Sequence, residues 1–216
     1  NGITDKLAQA INNVVDDADI VLLPAIIGLK NSSLSEKLRE KVKANIKFIA
    51  TMPPSVPGIR TLELLRQRLY ELGGSILMGD KAIEGRFENG KLVEIKTEHL
   101  TEDSLTADNF ILATGSFMNK GLISDYTHVY EPVFGLDVDA AADRNDWYVE
   151  NVFNAQPYMN FGVTTDAKLH AVKDGKTIEN LFVIGSILSG HNNIKLADGE
   201  GVSLLTALYA AKQIIK

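Results

Sequence analysis

The chain contains no cysteine, which excludes disulfides, thiolate metal ligands and thiol nucleophiles. It fits a reducing compartment such as the cytoplasm. Histidine is scarce too. His99, His128, His170 and His191 are scattered, no two stand at metal-ligand spacing, and no metal site is expected. Basic residues are outnumbered, 22 Lys and Arg against 28 Asp and Glu, for a net charge of -6. The most basic stretch, 37–47, is interleaved with Glu36 and Glu40, as on a solvated helix face. Without a basic stripe, nucleic acid is not an expected partner. Long apolar runs are also missing. The longest, 20–29, contains Pro24 and falls far short of the roughly 20 residues that cross a bilayer, so no transmembrane segment is expected. The opening Asn1-Gly2-Ile3-Thr4-Asp5 lacks an initiator Met and the basic-then-apolar order of a signal peptide, and it reads as internal to a longer polypeptide. There is no Gly-x-Ser-x-Gly, no P-loop and no Gly-x-Gly-x-x-Gly.

What is present is ordinary globular material, 45% hydrophobic and 23% charged over 216 residues, enough for one or two domains with a sizeable core. Residues 6–17 have helical apolar spacing, and 20–24 read as a buried strand. Ser33-Leu34-Ser35-Glu36 has the order of a capping box, with Leu34, Leu38 and Val42 on one face of the helix it would start. A second strand is expected at 46–50. Pro53, Pro54 and Pro57 then impose a loop. A helix over 58–72 carries Leu62, Leu65, Leu69 and Leu72 in one stripe, and Gly73-Gly74 ends it. Strand signals follow at 75–78, 81–87 and 92–97, with Asn89-Gly90 between the last two as a hairpin turn. Strands are expected at 110–113 and 181–184, and a final helix at about 200–215. Residues 117–160 are irregular, and 167–180 read as a polar loop. Asp137, Asp139, Asp143 and Asp146 read as a solvated acidic face. The order of elements points to an α/β protein.

Three places could hold a ligand. The strand at 110–113 runs into Ala113-Thr114-Gly115-Ser116, small residues past which a flat or phosphorylated ligand could lie close to backbone. A plain tight turn would use the same residues. Gly185 and Ser186 close the late strand, and Gly199, Gly201 and Val202 open the last helix, whose first amides and dipole suit a phosphate or a flavin edge. A loop that merely reverses the chain remains an equal reading. Arg60, beyond the proline loop, could grip a phosphate or pair with a local carboxylate. Among the histidines, His191 in the 190–201 loop is the candidate proton donor, while His99 and His170 read as exposed.

Taken together, several stretches resemble a known family. They are Pro53-Pro54-Ser55-Val56, Gly58-Ile59-Arg60, Ala113-Thr114-Gly115-Ser116-Phe117, Glu131-Pro132-Val133-Phe134-Gly135-Leu136-Asp137-Val138, Asp146-Trp147-Tyr148, Gln156-Pro157, Phe161-Gly162-Val163-Thr164-Thr165-Asp166 and Thr177-Ile178-Glu179-Asn180-Leu181. From about Ile20 onward the chain resembles the B subunits of anaerobic glycerol-3-phosphate dehydrogenases, a flavoprotein family. The resemblance implies an α/β domain of the FAD/NAD(P)-binding type with an inserted cap or substrate domain. Residues 1–56 and 117–160 would belong to the cap, and 57–116 and 161–216 to the flavin domain. It implies a flavin, with FMN favoured over FAD, and oxidation of sn-glycerol 3-phosphate to dihydroxyacetone phosphate. It also implies two partners, a larger A subunit and a membrane-anchoring iron–sulfur C subunit. The latter would hold the assembly on the cytoplasmic face of the inner membrane and pass electrons towards fumarate or nitrate respiration. Two departures stand out: the amino-terminal nucleotide-binding motif is missing, and Ser186 occupies a position where flavin folds often carry Asp. The chain alone is therefore expected to bind flavin weakly or not at all and to be inactive. A fumarate-reductase-like dehydrogenase, with Arg60 or Arg144 holding a carboxylate, and a non-catalytic subunit that has lost flavin are the alternatives.

Overall fold

A computed structural model describes residues 2–100 and 104–215. The chain forms two compact units, Asn1–Leu77 and Met78–Lys216.

The first unit consists of α1 (Gly2–Val14), β1 (Ile20–Pro24), α2 (Ser33–Lys41), β2 (Asn45–Ile49) and α3 (Val56–Glu71). β1 and β2 pair in parallel, with Val21 opposite Ile46. Ala8 and Ile11 of α1 and Leu38 of α2 meet Val42 and Ile46 in a buried cluster, so helical spacing on two elements covers one face of the strand pair. Asn12 ties the helices together: its Nδ2 donates to the Lys41 carbonyl and its Oδ1 accepts from the Lys43 amide, both at 2.9 Å. The other strand face is bare. β1 alternates exposed and half-buried residues, with Ile20 and Leu22 outward, so the fully buried strand expected at 20–24 is instead buried on one face. The capping box does not form. The cap of α2 is Ser32, which makes no side-chain bond, and Asn31 Oδ1 accepts from the Ser33 amide at 2.9 Å instead. α3 begins two residues before the expected start at 58: Ser55 Oγ accepts from the Gly58 amide, and Pro57, expected in the loop, lies in the first turn, where helix starts favour it. Its leucine stripe is not buried, however. Leu62, Leu65, Leu69 and Leu72 are all exposed, and no residue of α3 is buried.

The second unit runs β3 (Ala82–Glu88), β4 (Lys91–Thr97), β5 (Phe110–Leu112), β6 (Ile123–Ser124), β7 (Val129–Tyr130), β8 (Val138–Asp139), β9 (Gly162–Val163), β10 (His170–Lys173), β11 (Lys176–Val183), α4 (Asn193–Leu196) and α5 (Gly199–Ile214). Residues 75–78, expected extended, are not a strand. β3 and β4 form the expected hairpin, with Asn89 and Gly90 both at positive φ. A second hairpin, β10–β11, stands where a polar loop was expected. Its turn, Asp174-Gly175, has the same positive-φ pair. Asp137 clamps that turn by accepting from both turn amides at 2.8 Å. Asp143 likewise accepts from the Asn145 amide at 2.9 Å. Asp137, half-buried, is therefore structural, whereas Asp139, Asp143 and Asp146 are exposed, as a solvated face requires.

The central sheet has the order β10-β11-β5, with β11 parallel to β5. β11 is covered on both faces, Leu181, Phe182 and Val183 being buried, as in interior parallel strands. Buried Asn180 joins this sheet to the first hairpin, donating to the Leu92 carbonyl at 2.7 Å and accepting from the Leu92 amide at 3.0 Å. Among the described residues, no helix is long and apolar enough to cross a membrane.

Candidate functional site

β5 and β11 end side by side. Leu112 stands opposite Val183 in parallel register, and the Ile184 amide donates to the Leu112 carbonyl at 3.0 Å. The two loops singled out by their small residues, 113–116 and 185–186, therefore leave one sheet edge at its carboxyl end. In open α/β sheets that edge is where ligands collect. Gly115 and Gly185 are both buried at φ +76, a conformation side chains resist. Close packing adds to the demand on the first loop: a Cβ on Gly121 would lie 1.8 Å from the Gly115 carbonyl oxygen. Beside it, the buried Thr114 Oγ1 has no hydrogen-bond partner. Buried hydroxyls are nearly always satisfied, so this atom keeps hydrogen-bonding capacity that the protein's own groups do not use. Ala113 is exposed and Ser116 half-buried, the latter receiving the Asn119 and Gly121 amides on its carbonyl.

Gly185 opens a single 3-10 turn, Gly185–Ile187. Its amide donates to Thr206 Oγ1 at 2.9 Å, which holds the turn against the second turn of α5. Ser186 follows half-buried. Gly199, Gly201 and Val202 lie in the first turn of α5, where the cap Asp198 gives no side-chain bond to the helix amides. Its carboxylate is engaged elsewhere, 2.9 Å from His191 Nε2. The first amides of α5 are thus left without a side-chain cap, and Gly201 faces open space. His191 belongs to an ion-pair-like contact that shapes the helix entrance, with its ring half-buried. Sequence reasoning missed Thr206, because a hydroxyl inside a helix carries no signal of the turn it will meet.

Arg60 lies in the first unit, and its Nη1 donates to the Gly28 carbonyl at 2.7 Å. Among the described residues it forms no ion pair with a carboxylate, and it secures a turn in which Gly28 has φ +86. His170, read as exposed, is a β10 residue packed on Phe182 with ring centroids 4.7 Å apart. Its Nδ1 lies 2.9 Å from Asp166 Oδ2, and this contact together with the amides of His170 and Lys168 holds the Asp166 carboxyl below the usual carboxylate range against the opposing effect of its partial burial.

The orphaned Thr114 hydroxyl, the two glycine turns and the uncapped helix start fit a flat, phosphorylated, hydrogen-bonding group such as a flavin nucleotide. The FAD binding domain model matches residues 1–203. The chain belongs to the FAD binding domain family. Among curated proteins it is similar to the B subunit of anaerobic glycerol-3-phosphate dehydrogenase from Yersinia enterocolitica, 38% identical over 97% of this chain and 49% of that protein. The protein of the same name from Mannheimia succiniciproducens is 38% identical over 100% of this chain and 50% of its own length. That of Pectobacterium atrosepticum is 37% identical over 97% and 50%. The chain thus spans about half the length of the curated relatives it matches. No solved structure matches it. The family description names FAD, and no comparison names the FMN that the resemblance favoured.

Proposed function

We propose that this chain is part of a flavin-linked dehydrogenase subunit that takes part in oxidising sn-glycerol 3-phosphate to dihydroxyacetone phosphate. The observation that carries the reading is the shared carboxyl edge of β5 and β11, where Thr114 Oγ1 is buried without a partner. The names of the relatives supply the substrate. FAD is the cofactor the reading assigns, and when bound it would supply the acceptor for the two electrons of the alcohol. Around it, Thr114 would offer its hydroxyl, Gly115 and Gly185 would let backbone approach, and Ser186 would hydrogen-bond a polar chain. The amides of Gly199 and Gly201 would favour its more electron-rich side, while Val202, whose amide donates to the Asp198 carbonyl at 3.0 Å, would support them from within the first turn. Residues 1–56 and 117–160 are assigned to a cap, and 57–116 with 161–216 to the flavin domain. The relatives' names, which make each of them one subunit of an enzyme, point to partner chains. They are proposed here as a larger A subunit and an iron–sulfur C subunit that brings the assembly to the cytoplasmic face of the inner membrane. Electrons would leave by that route towards fumarate or nitrate respiration.

The test is the visible spectrum of the complete gene product, followed by identification of the flavin released by acid. The expected result is a flavin band near one per polypeptide, released as FAD, and clearly weakened in Thr114→Val. A folded, colourless protein that takes up neither FAD nor FMN would overturn the reading and leave a non-catalytic role.

A further inference from the structure

A cavity of about 360 Å³ opens in the irregular part of the second unit, lined by Phe117, Arg144, Trp147, Tyr148, Tyr158 and Phe161. Its walls are continuous with the loops of the candidate site. Phe117 follows Ser116 directly and meets Tyr158 edge to face, with ring centroids 6.4 Å apart. Phe161 meets Trp147 in the same way, also at 6.4 Å. Next to Phe161, Gly162 passes so close to the loop after β11 that a Cβ there would lie 2.3 Å from the Ser189 amide nitrogen. The cavity wall and that loop are therefore packed backbone to backbone.

Arg144 is the cation at this cavity. Its guanidinium carbon sits 4.6 Å from the Tyr126 ring centroid and 5.4 Å from that of Trp147. Nη1 donates to the carbonyls of Asp125 and Tyr126 at 3.3 and 3.2 Å. The nearby acids do not neutralise it. Asp125 accepts from the Thr127 and His128 amides, each at 2.7 Å, Asp143 accepts from the Asn145 amide, and Asp146 is exposed. No carboxylate among the described residues forms an ion pair with Arg144. A guanidinium fixed by rings and carbonyls, with its charge uncompensated, has already lost the freedom that gripping an anion would otherwise cost. Arg144 is itself exposed, so an incoming anion can reach its guanidinium from solvent while the rings hold it in place. The volume is on the scale of small-molecule sites, about 300–1,000 Å³.

We propose that this cavity binds a small organic oxyanion, with the charged head on Arg144 and the carbon body against the rings. The proposal rests on the preceding reading only for its first probe, glycerol 3-phosphate. Trp147 lines the cavity and is the only tryptophan of the chain, so its fluorescence reports on this place alone. The 216-residue chain would be titrated with glycerol 3-phosphate, with succinate, and with glycerol as the uncharged control. The expected result is a saturable change with glycerol 3-phosphate and none with glycerol. Arg144→Gln should weaken it about ten-fold or more, the scale of a lost charge-assisted fork. Arg144→Lys, which keeps the charge and loses the fork, should give a partial loss and serves if Arg144→Gln does not fold. A saturable response to succinate alone, with the same dependence on Arg144, would uphold the site and overturn the glycerol 3-phosphate reading. No saturable response to either anion, or equal binding by the Arg144 variants, would overturn the site and leave the flavin reading to its own test.

Discussion

The amide of Gly185 donates to the hydroxyl of Thr206 across 21 residues of chain, at 2.9 Å. One end of the central sheet is thereby fixed to the helix whose first turn closes the candidate flavin edge. The same hydroxyl donates back to the Val202 carbonyl at 2.7 Å, so it serves as a relay between turn and helix. Thr206→Val would leave the buried turn amide without a partner, at a cost of about 1–3 kcal/mol. Thr206→Ser should recover most of it. Urea unfolding of the three proteins measures the difference, and equal midpoints for valine and threonine would show that water takes over the amide.

Asn180 is the other polar group that joins separate parts of the second unit. Its amide satisfies both backbone groups of Leu92, a residue only 1% exposed. Asn180→Ala should therefore destabilise by about 1–3 kcal/mol for each group left unpaired. Amide hydrogen exchange in β4 should rise with it. Unchanged protection at Leu92 would mean that the hairpin is held by its apolar contacts alone.

Acid sensitivity should centre on Asp80. Its carboxylate accepts from the Thr97 hydroxyl at 2.7 Å and from the amides of Lys81 and His99 at 2.7 and 3.1 Å. The Thr97 bond, then those amides, lower its pKa to about 2. A depressed carboxyl contributes its stability above the unfolded value, about 3.9, and loses it as pH falls towards 2. The difference in urea midpoint between the unaltered protein and Asp80→Asn should be constant at neutral pH and should shrink from about pH 4 downward. A difference that does not change with pH would assign the effect to shape instead of charge.

Two leucines of the first unit should respond in opposite ways. Leu38 is fully buried between α1 and the strand pair, and Leu38→Ala should cost about 2–5 kcal/mol. Leu65 is 59% exposed on α3, and Leu65→Gln should change stability by no more than about 0.5 kcal/mol while reducing binding of a hydrophobic dye. A large loss from Leu65→Gln would mean that α3 is covered in solution.

α3 illustrates how far periodicity reaches. Its terminal glycine is a local event and stands where the residues place it, whereas Ser55 and Pro57, which read as loop, begin the helix. Its apolar stripe is equally clear, yet a stripe states only that a face is apolar and not what covers it. The hairpin at Asp174-Gly175 shows the opposite error. The turn signal was as plain as Asn89-Gly90, but the polar residues around it, on a strand with one solvated side, resemble a loop. Asp137 is a third case: an acid 37 residues from the turn it clamps offers no pattern to read.

The amino-acid sequence by itself determined the α/β class, the small residues after β5 and β11, the glycine start of α5 and membership of a flavin-binding family, because these depend on neighbours within a turn or two. Only the tertiary structure decided that the two small-residue loops share one sheet edge, that Asp198 turns to His191 and not to its helix, and that Arg144 stands unpaired beside a ring-walled cavity. Those relationships join residues far apart in the chain, and they follow from strand register and close packing, which no local pattern encodes.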